Sequence, residues 1–141
     1  MTALTTERST KRYGDDEVMG FPVKTNVKCF QGGMAVLNAG YAAPATTATG
    51  LMAIGRFEET IDNTGQANGY QSIAVREGVF LWNNSASTDQ ITQADVGNFC
   101  YIVDDQTVAK TDGSTTRSKA GKVVGIEGTT GVWVMMGLEV I

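Results

Sequence analysis

The sequence predicts an all-β fold: a small single-domain β-barrel or sandwich with little helix and an extended polar N-terminal arm. Three observations predict it. Apolar runs of about 4–8 residues recur between clusters of Gly, Asn and Asp, the rhythm of short strands and turns. No segment carries apolar residues at i, i+3, i+4 and i+7 over three turns, so no amphipathic helix is expected. The 141 residues suffice for one domain, and neither a linker nor an internal repeat divides them.

Residues 1–17 are polar, with small side chains and mixed charges. They read either as a flexible tail or as an arm that orders against a neighbouring subunit by strand addition. In the second case Lys11, Arg12, Asp15, Asp16 and Glu17 are the candidate assembly contacts, setting register by charge. The β-domain then covers residues 18–141. Phe21, Val23, Thr25, Val27 and Cys29 alternate with Pro22, Lys24, Asn26 and Lys28, which predicts one strand with a single buried face. Pro22 belongs at its start or on a sheet edge, since it has no N–H to donate. Gln31-Gly32-Gly33 predicts a turn, Met34 to Leu37 a strand, Asn38-Ala39-Gly40 a second turn and Tyr41 to Pro44 a return.

Ala45 to Gly50 reads as loop and Leu51 to Glu58 as a strand, with Gly55 marking a bulge or a close backbone approach. Ile61 to Gly69 is dense in Asn, Asp and Gly and predicts a loop. Ser72 to Trp82 reads as two strands or one long bent strand, with Glu77-Gly78 at the bend, and Asn83 to Gln90 as polar loop.

Ile91 to Lys110 predicts a short helical turn followed by a hairpin. Thr92 can cap the turn by accepting from a backbone N–H, Asp95 stands in the capping-box position, and Gly97 ends the turn. Phe99 to Val103 suits a strand, Asp104-Asp105-Gln106 a turn, and Thr107 to Ala109 the return. Thr111 to Lys119 is polar loop, Ala120 to Glu127 a strand with a glycine at its middle, and Gly128 to Gly131 a hairpin turn. Val132 to Met136 is the last clear strand, with Leu138 to Ile141 as an extension.

The composition excludes several kinds of chemistry. The chain has no histidine, which removes the commonest general base and the commonest zinc ligand. Its two cysteines, Cys29 and Cys100, have neither a histidine partner nor CxxC spacing, and they predict two buried free thiols rather than a disulfide. No phosphate-binding glycine motif is present. The carboxylate pairs at Glu58-Glu59 and Asp104-Asp105 point to opposite faces if extended, and Asp104-Asp105 reads as a turn. No enzyme activity, cofactor or metal is therefore expected.

A net charge of −4 argues against nucleic acid, whose binders carry a basic face. No apolar run approaches the ~20 residues of a membrane span, and the polar N-terminus predicts no secretory signal. Without such a signal the glycosylation sequon Asn83-Asn84-Ser85 carries no weight. The strand aromatics Phe80, Trp82, Phe99, Tyr101 and Trp133 are expected in the core.

One set of segments resembles a known family. These are Gly33 to Leu37 with Ala42-Ala43, Ile54 to Phe57, Ala74 to Phe80, Asp95-Val96-Gly97, Tyr101, Asp104-Asp105 with Thr107-Val108, and Ala120 to Ile126. In order and spacing they are similar to the head decoration, or capsid cement, proteins of tailed bacteriophages. The resemblance runs from about Phe30 to Met136 and leaves out the segment before Val18 and the end after Met136. It implies a β-tulip-like fold on the outside of the virion capsid, made in the bacterial host cytoplasm. It also implies binding where capsomers meet, bracing of the head against internal DNA pressure, and no catalytic residues. The implied partners are the major capsid protein and neighbouring copies of the chain, as trimer or dimer. The competing reading from the residues is a non-catalytic β-sandwich binding module, recognising carbohydrate or a receptor, of a phage tail or surface protein.

Overall fold

A computed structural model describes residues 2, 3, 5–7, 9 and 18–140. The candidate contacts Lys11, Arg12, Asp15, Asp16 and Glu17 lie outside the described residues. The strands are β1 (Val18–Pro22), β2 (Lys28–Cys29), β3 (Met34–Asn38), β4 (Tyr41–Pro44), β5 (Met52–Phe57), β6 (Ile61–Asp62), β7 (Ser72–Arg76), β8 (Gly78–Asn83), β9 (Phe99–Ile102), β10 (Val108–Ala109), β11 (Lys119–Glu127) and β12 (Gly131–Met136). Two single 3-10 turns, Ser87–Asp89 and Gln93–Asp95, are the helical content of the described chain. The all-β expectation holds.

Two five-stranded antiparallel sheets form the body. The first has the order β1-β7-β5-β3-β4 and the second β10-β9-β11-β12-β8, while β2 and β6 make a small third sheet. The first sheet uses only residues 18–76 and the second only residues 78–136, so the chain crosses once, at Glu77. Each sheet curls until its two ends meet at one parallel bridge. Val23, just past β1, reaches Ala42 of β4, and Asn83 at the end of β8 reaches Thr107 beside β10. The Lys24 N–H donates to the Ala42 carbonyl at 2.9 Å, and the Asn83 N–H to that of Gln106 at 2.8 Å.

The apolar alternation sorts the core into two clusters. Met34, Val36, Ala43 and Ala53 from the first sheet pack against Phe80, Trp82, Cys100, Ile102, Val123, Val134 and Met136 of the second. On the opposite face of the first sheet, Val23, Cys29, Ala35, Ala42, Ile54, Phe57, Ile73 and Val75 form the other cluster, with Leu138 packed on it. Both faces of the first sheet are thus covered, which explains why β3 reads as a continuous apolar run rather than an alternation. The thiols of Cys29 and Cys100 are free and buried, one in each cluster.

The glycine at position 55 serves both expected purposes. The β3–β5 register slips between Ala35 and Val36, leaving Ile54 as the extra residue. Gly55 has φ 142°, and a Cβ there would stand 2.2 Å from the Arg76 carbonyl oxygen. Gly121 makes a similar approach to the Met135 carbonyl across β11 and β12, again at 2.2 Å.

Three expectations need correction. The strand expected over Phe21 to Cys29 is broken, because Asn26 adopts φ 58° and turns the chain between β1 and β2. Asn tolerates this left-handed conformation better than most residues. The loop expected over Ile61 to Gly69 begins with β6, paired to β2. It is tied down by fully buried Asn63, whose amide donates to the carbonyls of Lys24 and Ala67 at 2.9 and 3.2 Å. Leu138 to Val140 form a turn that folds Leu138 onto the first sheet instead of extending β12. The capping box expected at Thr92 and Asp95 forms, with the Asp95 carboxylate accepting from the Thr92 backbone N–H at 2.8 Å and the Asp95 N–H donating to the Thr92 carbonyl at 2.9 Å.

Candidate interaction surface

Strand β8 reads GVFLWN and β12 reads GVWVMM, apolar at almost every position. Phe80, Trp82, Val132, Val134 and Met136 point inward, and the Trp82 indole N–H donates to Met136 Sδ at 3.1 Å. The alternate positions must then point out. Val79 and Leu81 on β8, Trp133 and Met135 on β12 and Val124 on β11 are each 37–45% exposed.

Register makes these five residues contiguous. Trp133 lies opposite Leu81 and Met135 opposite Val79. On the other side Trp133 faces Gly125, where a Cβ would sit only 3.6 Å from the indole Cδ1, so the ring lies across β11. The register slip between Val123 and Gly125 leaves Val124 outward beside it. Scattered apolar side chains are ordinary on a protein surface, but five that adjoin over three strands form a patch. The core expectation for the aromatics therefore holds for Phe80 and Trp82, is half met for Phe99 and Tyr101, and fails for Trp133.

Opposite charges border the patch. Lys122, the β11 residue paired with Met135, lies on one side and stacks over the Phe99 ring at 5.3 Å. Glu77, one residue before β8, and Glu139, just past the end of β12, line a shallow groove of about 210 Å³ that also includes Met135. Beyond the β8 edge is a groove of about 400 Å³, walled by Gly32 and Arg56 and floored by Val79, Leu81 and Trp133. Asn84 donates back to Thr130 and Asn83 donates away to Gln106, so by alternation the main-chain groups of Val79 and Leu81 face this groove.

The groove wall is braced electrostatically. Arg56 stacks on the Phe80 ring at 4.7 Å and, with Arg76, grips Glu58 Oε1 at 2.9 and 2.7 Å. Burial pushes the Glu58 carboxyl up, but the two guanidinium hydrogen bonds and charges together outweigh it and hold its pKa below the ordinary value.

A second groove, about 410 Å³, adjoins at Gly32 and is lined by Phe30, Gln31, Asp105 and Gln106. Phe30 is 52% exposed there. Burial, and then the neighbouring Asp104 charge, raise the Asp105 pKa. As the sequence suggests, Asp104-Asp105 serve a turn, with Asp104 accepting from the Gln106 N–H at 2.9 Å. Burial alone pushes Cys29 up to about 11, and burial dominates in pushing Cys100 up to about 12, so neither is a ready nucleophile. Among the described residues no group of three or more His, Cys, Asp and Glu side chains could hold a metal ion.

The outer face of β8, β12 and β11 is the surface that sequence reasoning missed. An all-apolar strand predicts burial of both faces, and only the arrangement of the sheets decides otherwise. Comparison with protein-family models, with curated proteins and with solved structures gives no match.

Proposed function

We propose that the chain is a structural virion protein that binds the outer surface of a phage capsid at capsomer junctions and stabilises the head. Its partners in this reading are the major capsid protein and neighbouring copies of itself, and it performs no catalysis. The order of the segments between Phe30 and Met136 supports the family. The observation that carries an assembly role is the contiguous exposed face of Val79, Leu81, Val124, Trp133 and Met135, since apolar surface of this kind marks sites of protein association. Lys11, Arg12, Asp15, Asp16 and Glu17 remain the candidate contacts of the N-terminal segment with the capsid.

The test is co-sedimentation of the purified chain with expanded heads that lack it. Saturable binding at a fixed copy number per capsomer is expected, and no binding at tens of micromolar protein would defeat the proposal. Deleting residues 2–17 should weaken that binding at least about tenfold, or roughly 1.4 kcal/mol.

One observation favours the alternative of a carbohydrate-binding module. Phe30 offers an exposed ring next to the Asp105 carboxyl and the amides of Gln31 and Gln106, the pairing of apolar platform and polar groups that holds a sugar. Glycan-array binding that Phe30→Ala abolishes would favour this reading over the first.

A further inference from the structure

We infer that the outer face of β8, β12 and β11 is an isologous interface, and that its occupant is a second copy of this chain. The inference deepens the proposed assembly role by naming the partner of one surface. It starts from the distribution of charge around the patch. Lys122 stands on β11, while Glu77, one residue before β8, and Glu139, just past β12, line the groove at Met135, and the charge of Arg56 beyond the β8 edge is already met by Glu58. A partner face of one uniform sign would meet repulsion at one border. A second copy turned by a two-fold axis along β12 would not.

That axis carries the β8 column of one copy onto the β11 column of the other. Leu81 then meets Gly125 and Val124 of the partner, Trp133 and Met135 meet their own equivalents, and Lys122, level with Met135, lies over Val79 of the partner, two residues along β8 from Glu77. This is the self-complementarity a two-fold contact requires, in which each pairing occurs twice. The composition fits the pattern of association surfaces, with Trp and Met at the centre and charges at the rim. Strand β8 also carries no charged residue among Gly78–Asn83, so it lacks the lysines and inward charges that keep a sheet face or edge from associating.

The experiment is sedimentation velocity of the full chain from about 1 to 200 µM, alongside the same head co-sedimentation used above. A species of twice the 15.0 kDa chain mass is expected to grow with concentration. Leu81→Asp should leave the far-ultraviolet circular dichroism unchanged and reduce self-association at least tenfold. Lys122→Glu should weaken it too, and Lys122→Glu combined with Glu77→Lys should restore it, because the double reversal rebuilds both rim pairs. A wild-type chain that stays monomeric throughout overturns the inference, as does a Leu81→Asp or Lys122→Glu variant that dimerises like the wild type. If the wild type is monomeric and Leu81→Asp abolishes head binding, the face belongs to the capsid contact, and the inference fails while the proposed function stands. If the dimer forms and is lost in Leu81→Asp but no variant binds heads, the inference stands and the proposed function fails.

Discussion

Asn63 concentrates more stabilising contacts than its place in a polar loop suggests. Its amide bridges the carbonyls of Lys24 and Ala67, and its side-chain oxygen accepts from Gln71 at 3.3 Å. Asn63→Ala removes all three bonds and leaves a hole at a fully buried position, so a loss of about 1–3 kcal/mol is expected in urea denaturation. Backbone geometry sets a comparable constraint at Gly55. The positive φ costs a side chain about 1–3 kcal/mol, and the collision with the Arg76 carbonyl adds to it. Gly55→Ala should therefore cost at least about 2 kcal/mol. Gly20→Ala is the control, since a Cβ at Gly20 meets nothing within 4 Å and should shift stability by no more than about 0.5–1 kcal/mol. Equal costs for the two glycines in parallel denaturation curves would refute the steric account of Gly55.

Strands β5 and β7 are joined side by side at Arg56 and Arg76, and Glu58 binds both guanidinium groups across that pair. The Glu58 pKa is lower folded than unfolded, so its contribution is present above the unfolded value, about 4.3, and is lost as pH falls through the folded value. Asp89 behaves likewise: a hydrogen bond from Thr111 lowers its pKa most, burial opposes this, and Arg117 lowers it further. The Asp105 shift runs the other way, so that group favours the folded chain below its unfolded pKa and opposes it as pH rises. Stability should fall as pH drops below about 5. Glu58→Gln should be less stable than wild type at pH 7 and should show a flatter decline between pH 5 and 3, read from thermal midpoints. An unchanged slope would remove Glu58 from the acid response. At this scale the sequence was largely legible. Turn residues bounded β3, β4, β11 and β12, because Gly, Asn and Asp there relieve backbone strain that other residues would bear. The break at Asn26 was hidden, since Val27 and Cys29 keep in phase with Phe21 and Val23 across it. The candidate face was hidden for a related reason: β3 and β12 are equally apolar in sequence, yet both faces of β3 are covered and one face of β12 is open.

Burial of one cysteine in each core cluster makes the whole molecule report on its own cohesion. With both thiols raised to about 11 and 12, a thiol reagent at pH 8 should label neither in the native chain and both in denaturant. If the two clusters open as one unit, Cys29 and Cys100 should be labelled at the same rate in moderate urea. Faster labelling of Cys29 would identify the smaller cluster as a separately opening part. The division of the sheets along the sequence, with a single crossing at Glu77, has a further consequence during synthesis. When residue 77 leaves the ribosome, every strand of the first sheet is present, but Met34, Val36 and Ala53 have nothing to cover them until β8 to β12 follow. At about 5–20 residues per second, the remaining strands take several seconds to emerge. For that interval Met34, Val36 and Ala53 lack the side chains that bury them in the finished fold, so a stall just beyond Glu77 should raise the share of chain lost to aggregation.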